Sequence, residues 1–203
     1  MTVCNELCEL GKKYGTDKHN SVRFPVGGDL LSYYYELWKD RRMEVRKVLE
    51  IGIGHAISGL TGYMGEGYRP GASLFMWEEY FPNAEIYALD IVPEILVNRG
   101  RIRSFVCDQG CKDSLRQVVS QLGDGFDFIE DDGSHQPAHQ ILTARMFVPM
   151  LAPQGVYVIE DVNEALGPRA AISDGIPYKS SWREIINNEG LIGDLTLKIE
   201  HRE

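Results

Sequence analysis

The stretch Val48-Leu49-Glu50-Ile51-Gly52-Ile53-Gly54 decides the fold. Its apolar run reads as a buried strand over 47–51 (KVLEI), and glycines follow where a loop or helix should begin. Glycines there let a ligand come close to the backbone, whose free N–H groups can hold its polar parts. The third glycine of a dinucleotide fingerprint is absent, since Ala56 follows His55 and the next glycine is Gly59, which counts against a standard NAD site. Further buried-strand runs lie at 85–89 (EIYAL), 102–106 (IRSFV), 126–129 (FDFI) and 155–159 (GVYVI). Helical patterns fill 30–42, 72–80, 112–122, 136–150 and 181–189. Strands alternating with helices predict an α/β chain built on a parallel sheet with helices on both faces. In such sheets ligands bind outside the carboxyl ends of the strands, near the point where strand order reverses.

Composition narrows the function. The chain has 203 residues, enough for one compact domain, and a net charge of -9 that provides no broad positive field for nucleic acid or anionic lipid. No apolar run approaches the ~20 residues of a membrane span, and the first residues lack the pattern of a signal peptide. The expectation is a cytoplasmic protein with a small-molecule partner. Cys4/Cys8 and Cys107/Cys111 share one spacing that would suit zinc, but a core of this size needs no staple, and four reduced thiols are expected. Glycine-rich residues 59–71 suggest a mobile loop or a plain surface insertion, and Tyr63, Tyr68, Phe75 and Trp77 suit either packing or an acceptor pocket.

The strand ends carry chemistry. Asp90 closes the second strand, where a carboxylate can accept both hydroxyls of a ribose. Cys107-Asp108-Gln109 follows the third, a place for an acid or amide to meet an adenine amino group. Each alone reads equally as a helix cap, but three polar turns in order favour an adenosine-containing ligand. The fourth strand discharges into Glu130-Asp131-Asp132-Gly133-Ser134-His135, and the fifth into Glu160-Asp161. Crowded carboxylates repel and raise one another's pKa unless they bind something. Asp132, Glu160 and Asp161 could give three oxygens to one Mg²⁺, with His135 beside a bound hydroxyl as general base. Two other readings stand: Asp132, His135 and His139 as a transition-metal site, or Asp132, Ser134 and His135 as caps of the next helix.

In this order the motifs resemble class I S-adenosylmethionine-dependent methyltransferases, and within them the metal-dependent macrocin/mycinamicin type of sugar O-methyltransferase. The resemblance rests on Gly15-Thr16-Asp17-Lys18, the run from Val48 to Gly54, Tyr80-Phe81-Pro82-Asn83-Ala84 with Asp90, Asp131-Asp132-Gly133-Ser134-His135, and Val156-Tyr157-Val158-Ile159-Glu160-Asp161. It implies a Rossmann-like sheet, residues 1–45 as a helical segment packing on or capping the site, and 46–203 as the methyltransferase domain. It further implies that Glu50, Gly52, Gly54, Asp90, Asp108 and Asp132 hold the methyl donor, that Asp132, Glu160 and Asp161 hold Mg²⁺, and that His135 is the catalytic base. The segment from Gly15 to Lys18 resembles the family's N-terminal stretch near the active site, and Asp17 and Lys18 receive no role. The reaction implied is O-methylation of a small-molecule hydroxyl; the rivals are a non-catalytic adenosine-binding module and a metal-dependent hydroxylase relative. Family sheets finish with an antiparallel hairpin, whereas residues 194–200 supply one plausible strand, so the hairpin is expected to be incomplete. An exposed edge of this kind would favour a homo-oligomer.

Overall fold

The computed structural model describes residues 5–19, 30–59, 64–162, 169–186 and 192–200. Its elements, in chain order, are α1 (Glu6–Tyr14), α2 (Leu30–Trp38), β1 (Lys47–Ile51), α3 (Ala72–Tyr80), β2 (Glu85–Asp90), β3 (Ile102–Val106), α4 (Lys112–Leu122), β4 (Phe126–Asp131), α5 (Pro137–Phe147), β5 (Leu151–Ile159), α6 (Arg169–Gly175), β6 (Lys179–Ile186) and β7 (Ile192–Glu200). The strands form one sheet in the order β3-β2-β1-β4-β5-β7-β6. β1 to β5 pair in parallel, and β7 runs antiparallel to both β5 and β6. Strand order reverses between β1 and β4, which puts the expected ligand crevice at their carboxyl ends.

The period-2 alternation of strands sorts side chains into two cores. Val48, Ile86, Phe128, Val156 and Val158 face α1, α2 and α3, whereas Leu49, Leu89, Ile129, Tyr157 and Ile159 face α4, α5 and α6. Phe128 centres the first layer, its ring 5.3 Å from Trp38, 5.4 Å from Tyr34 and 5.6 Å from Trp77 between centroids. The same alternation, carried past the apolar residues, projects Glu50, Glu130 and Glu160 to the α2/α3 side and Asp131 to the other. Glu50 and Glu130 are direct neighbours in the β1/β4 register.

Two expectations are corrected. The closing hairpin is complete: of residues 181–189, read as helix, 181–186 lie in β6 and 187–189 lie outside the described residues, and β6 pairs with β7 from Lys179↔Glu200 to Ile185↔Asp194. The local pattern of Ser181 to Ile186 is compatible with either element, and pairing with β7 decides it. Four free thiols are also not found, because Cys8 is disulfide-bonded while Cys107 and Cys111 are free; four thiolates are thus unavailable for zinc. The helix α1, for which no separate pattern was read, lies within residues 1–45. Asn5 caps it, its Oδ1 accepting the Cys8 N–H at 2.9 Å, and Gly15 ends it in the left-handed region at φ 74°. That turn directs Thr16-Asp17-Lys18 toward the sheet.

No helix among the described residues is long and apolar enough to cross a membrane. Residues 60–63 of the glycine-rich stretch, including Tyr63, lie outside the described residues. Phe75 and Trp77 are core residues, and Tyr68 is buried.

Candidate active site

A cavity of about 670 Å³ opens at the carboxyl ends of β1, β2, β3 and β4. Glu50, Gly52, Gly54, Asp90, Asp108, Asp132, His135 and Asp161 all line it; Glu160 does not. Its volume suits a nucleoside-sized ligand. Gly52, at φ 86°, is the closest approach: a Cβ there would collide with the Asp132 carbonyl oxygen and lie 2.7 Å from Gly133 Cα. Only glycine lets the β1 and β4 turns meet.

The expected donor contacts are partly committed to the fold. Asp90 accepts the Ile53 N–H at 3.0 Å and the Val92 N–H at 2.9 Å, bracing the first turn against the second. Asp108 accepts the Gly110 N–H at 2.8 Å. Gln109, read as a possible partner for adenine, has an internal task. Its amide donates to Asp131 Oδ1 at 2.6 Å and accepts the Ser134 N–H at 2.8 Å, tying the turn after β3 to the turn after β4. Tyr157 donates to the other Asp131 oxygen at 2.9 Å. Burial raises Asp131 to about 6, against the pull of these donors.

The turn after β4 does not serve as a helix cap. Gln136 is the N-cap of α5 and has no side-chain cap bond. Ser134 Oγ instead meets His139 Nδ1 at 2.9 Å. His139 lines the cavity but joins no metal-ligating cluster among the described residues. Asp132, His135 and Asp161 do: one ligand atom from each lies within 4.8 Å of the others. His135 and Asp161 are the non-glycine residues with positive φ among the described residues, at 55° and 46°. Backbone strain of this kind concentrates at functional sites. His135 Nδ1 is buried and without a hydrogen-bond partner among the described residues.

Behind this group lies a second one, Glu130, Asp132 and Glu160, which also converges within 4.8 Å. Lys18 is set among them. Its ammonium is 2.6 Å from Asp132 Oδ2 and 2.9 Å from Glu160 Oε2, and it forms an ion pair with Glu130. Tyr34 donates to the other Glu160 oxygen, and Trp77 Nε1 donates to Glu130 Oε2 at 3.1 Å. Burial alone would lower the Lys18 pKa, but Asp132, Glu130 and Glu160 outweigh it and hold the ammonium well above its usual range. Burial raises Glu130 to about 7 and Asp132 to about 6, each opposed by Lys18. Burial, then repulsion from Glu130, raises Glu160 well above the usual carboxylate range. Glu50, its Oε1 accepting from Ser73, is lifted to about 8 by burial. The resemblance placed the segment from Gly15 to Lys18 near the active site but gave Lys18 no role, because its pairing with Asp132 spans 114 positions. Tyr34, on α2, also holds Glu160. The available signal was a lysine in a short polar turn after a capped helix.

Comparison with known proteins agrees with this architecture. Over 198 residues, 98% of its own length, the chain is 32% identical to mycinamicin VI 2''-O-methyltransferase of Micromonospora griseorubida. The same identity and span hold for demethylmacrocin O-methyltransferase of Streptomyces fradiae. The structure of the MycE methyltransferase from the mycinamycin biosynthetic pathway, in complex with Mg and SAH, superposes with a TM-score of 0.66 at 32% identity, covering 83% of this chain and 41% of that one. The chain has the class I methyltransferase fold and resembles the macrocin/mycinamicin-type sugar O-methyltransferases. It spans 45% of the length of both curated relatives. No family model matches it. The class I methyltransferase sheet accounts for the complete β6/β7 hairpin, and Mg²⁺ suits the carboxylates present: Asp132 and Asp161 offer oxygens to a hard cation at the cavity wall, with His135 beside them.

Proposed function

We propose that the protein is a Mg²⁺-dependent S-adenosylmethionine O-methyltransferase acting on a hydroxyl of a small molecule, a sugar of a natural product, with His135 as general base. The convergence of Asp132, His135 and Asp161 on the wall of a nucleoside-sized cavity carries this reading. The relatives named above, whose names specify O-methylation of mycinamicin VI and of demethylmacrocin, and the Mg and SAH of the MycE structure support it. Within the acidic set read from the sequence, Asp132 and Asp161 face the cavity and would hold the ion, while Glu160 is its buried member. S-adenosylmethionine would supply an electrophilic methyl group, and Mg²⁺ a charge that favours deprotonation of the acceptor hydroxyl.

The chain's own residues would then do positioning and proton work. Gly52, Gly54, Asp90 and Asp108 shape the donor side of the cavity, and Glu50 lies beneath it. His135 takes the acceptor proton as the oxygen bonds to the methyl carbon; the carbon–sulfur bond breaks, and its electron pair leaves on sulfur. On the same reading the N-terminal segment belongs to the site, since Lys18 reaches its acidic wall.

Calorimetric titration of S-adenosylmethionine and S-adenosylhomocysteine, with Mg²⁺ and then with chelator, tests the reading. Both should bind; Asp132→Ala should lose the Mg²⁺ isotherm, and His135→Ala should lower turnover on a macrolide sugar by about 100-fold or more with donor affinity unchanged. Absence of binding by both cofactors under every metal condition would overturn it.

A further inference from the structure

We propose that Asp17 is a donor-binding residue: its carboxylate receives the α-ammonium at the methionine end of S-adenosylmethionine, so that the N-terminal segment forms one end of the donor site. This role rests on the S-adenosylmethionine-dependent function proposed above. Strand order locates that end of the cavity. The turns after β3, β2 and β1 follow one another across the sheet, and the turn after β4 comes next. Asp108 and Gln109 line the cavity after β3, and Asp90 follows after β2, where a ribose is expected. The methionine end then falls at the glycine turn after β1, between Asp90 and Asp132.

Asp17 stands at this place. The Tyr68 ring covers the glycine turn, since a Cβ on Gly54 would lie 3.1 Å from its Cε1 and 3.3 Å from its hydroxyl. Burial and then the Asp17 charge raise the Tyr68 hydroxyl well above its usual range, and Asp17 also acts on Asp132, so the carboxylate lies between the two. Its chain neighbours Thr16 and Lys18 are buried, which pins the turn after α1 and presents Asp17 at the cavity wall. The nearby carboxylates have other work. Asp90 braces two backbone N–H groups, Glu50 is 1% exposed and accepts from Ser73, and Asp132 and Asp161 converge with His135. Asp17 belongs to neither converging group. It accepts a long hydrogen bond from Thr16 at 3.4 Å, which leaves most of its acceptor capacity for a ligand. An ammonium, with three donors and a full charge, is the matching group.

Calorimetric titration of S-adenosylhomocysteine, and of its analogue lacking the α-amino group, into wild type and Asp17→Asn tests the contact. Chelator is present throughout, so metal binding does not enter. S-adenosylhomocysteine keeps the ammonium and lacks the sulfonium, which removes the sulfur charge from the comparison. Asparagine has the shape of aspartate, and the analogue reports whether the site is still folded. Asp17→Asn should bind S-adenosylhomocysteine about 10- to 100-fold more weakly than wild type, the range of a hydrogen bond to a charged group, and should bind the analogue no more weakly than wild type does. Unchanged affinity for S-adenosylhomocysteine would overturn the role of Asp17. Equal weakening of both ligands would overturn it too, because a structural residue acts on both. A wild type that binds neither ligand would overturn the proposed function itself, and the role of Asp17 with it.

Discussion

Glu50→Gln should stabilise the cofactor-free protein, and by an amount that grows with pH. Glu50 is 1% exposed; its Oε1 accepts from Ser73, and its Oε2 is buried with no hydrogen-bond partner among the described residues. Burial raises its pKa from 4.5 to about 8. Below the unfolded value the carboxyl is protonated in both states and contributes no pH dependence. Between the two values the unfolded chain has released the proton that the folded chain retains, so stability falls as pH rises. The loss reaches roughly 3 kcal/mol at pH 7 and levels off on the order of 5 kcal/mol above the folded pKa, at ~1.4 kcal/mol per pKa unit. Glutamine keeps the acceptor for Ser73 and removes the ionisation. With chelator present, urea unfolding at about pH 5 and about pH 8 should show a small difference between variant and wild type at the lower pH. At the higher pH the variant's midpoint should lie above that of wild type by roughly 1–2 M, for a slope near 2–3 kcal/mol/M. Glu130, Asp131 and Asp132 also titrate in this range in both proteins; Glu50 raises Glu130, so the difference reports position 50 together with its coupling to Glu130. A gain independent of pH, or a variant less stable at the higher pH, would refute the assignment. An acid kept at such a cost beneath a donor cavity is the expected trade of stability against function, and the same variant should bind S-adenosylhomocysteine more weakly.

Gly52→Ala should destabilise the fold by about 2 kcal/mol or more, because alanine is strained at φ 86° and its Cβ meets the Asp132–Gly133 backbone; thermal melting together with S-adenosylhomocysteine titration would show both the instability and lost binding. Phe128→Ala removes the ring at the centre of the Tyr34, Trp38 and Trp77 cluster and should cost about 3–5 kcal/mol in chemical denaturation.

The parts of the fold legible in sequence are those where one strand carries its own signal. β1 and β3 match the expected bounds, and β2, β4 and β5 extend theirs, because strands covered on both faces must be apolar along their length. β6 carries no such signal. Ser181-Trp182-Arg183-Glu184 mixes polar and aromatic residues, and only its pairing with β7, more than ten residues away at Trp182↔Leu197, makes it a strand. The site divides in the same way. Strand ends are local features, so Glu50, Gly52, Gly54, Asp90, Asp108, Asp132, His135 and Asp161 could be read as a set, and one cavity gathers them. What one strand end owes to another is not local. That Asp131 turns away to Gln109 and Tyr157 while Glu130 and Glu160 turn toward Lys18 follows from alternation, once the register of β4 and β5 is known.

Register also explains why five acids can crowd the ends of two strands. Neighbours in sequence face opposite sides of the sheet, so Glu130 and Asp131 do not share an environment despite adjacency. Asp131 is satisfied by two neutral donors on one side. Glu130 and Glu160 share an ammonium on the other. Beyond the strands the alternation ends, and His135 and Asp161 turn back toward the cavity only by adopting left-handed backbone. Asp132, between the lysine and the cavity, belongs to both groups. A charge change on either side must therefore be felt at this carboxylate, which makes Asp132 the point where the stability of the buried acids and the binding of a cation are coupled.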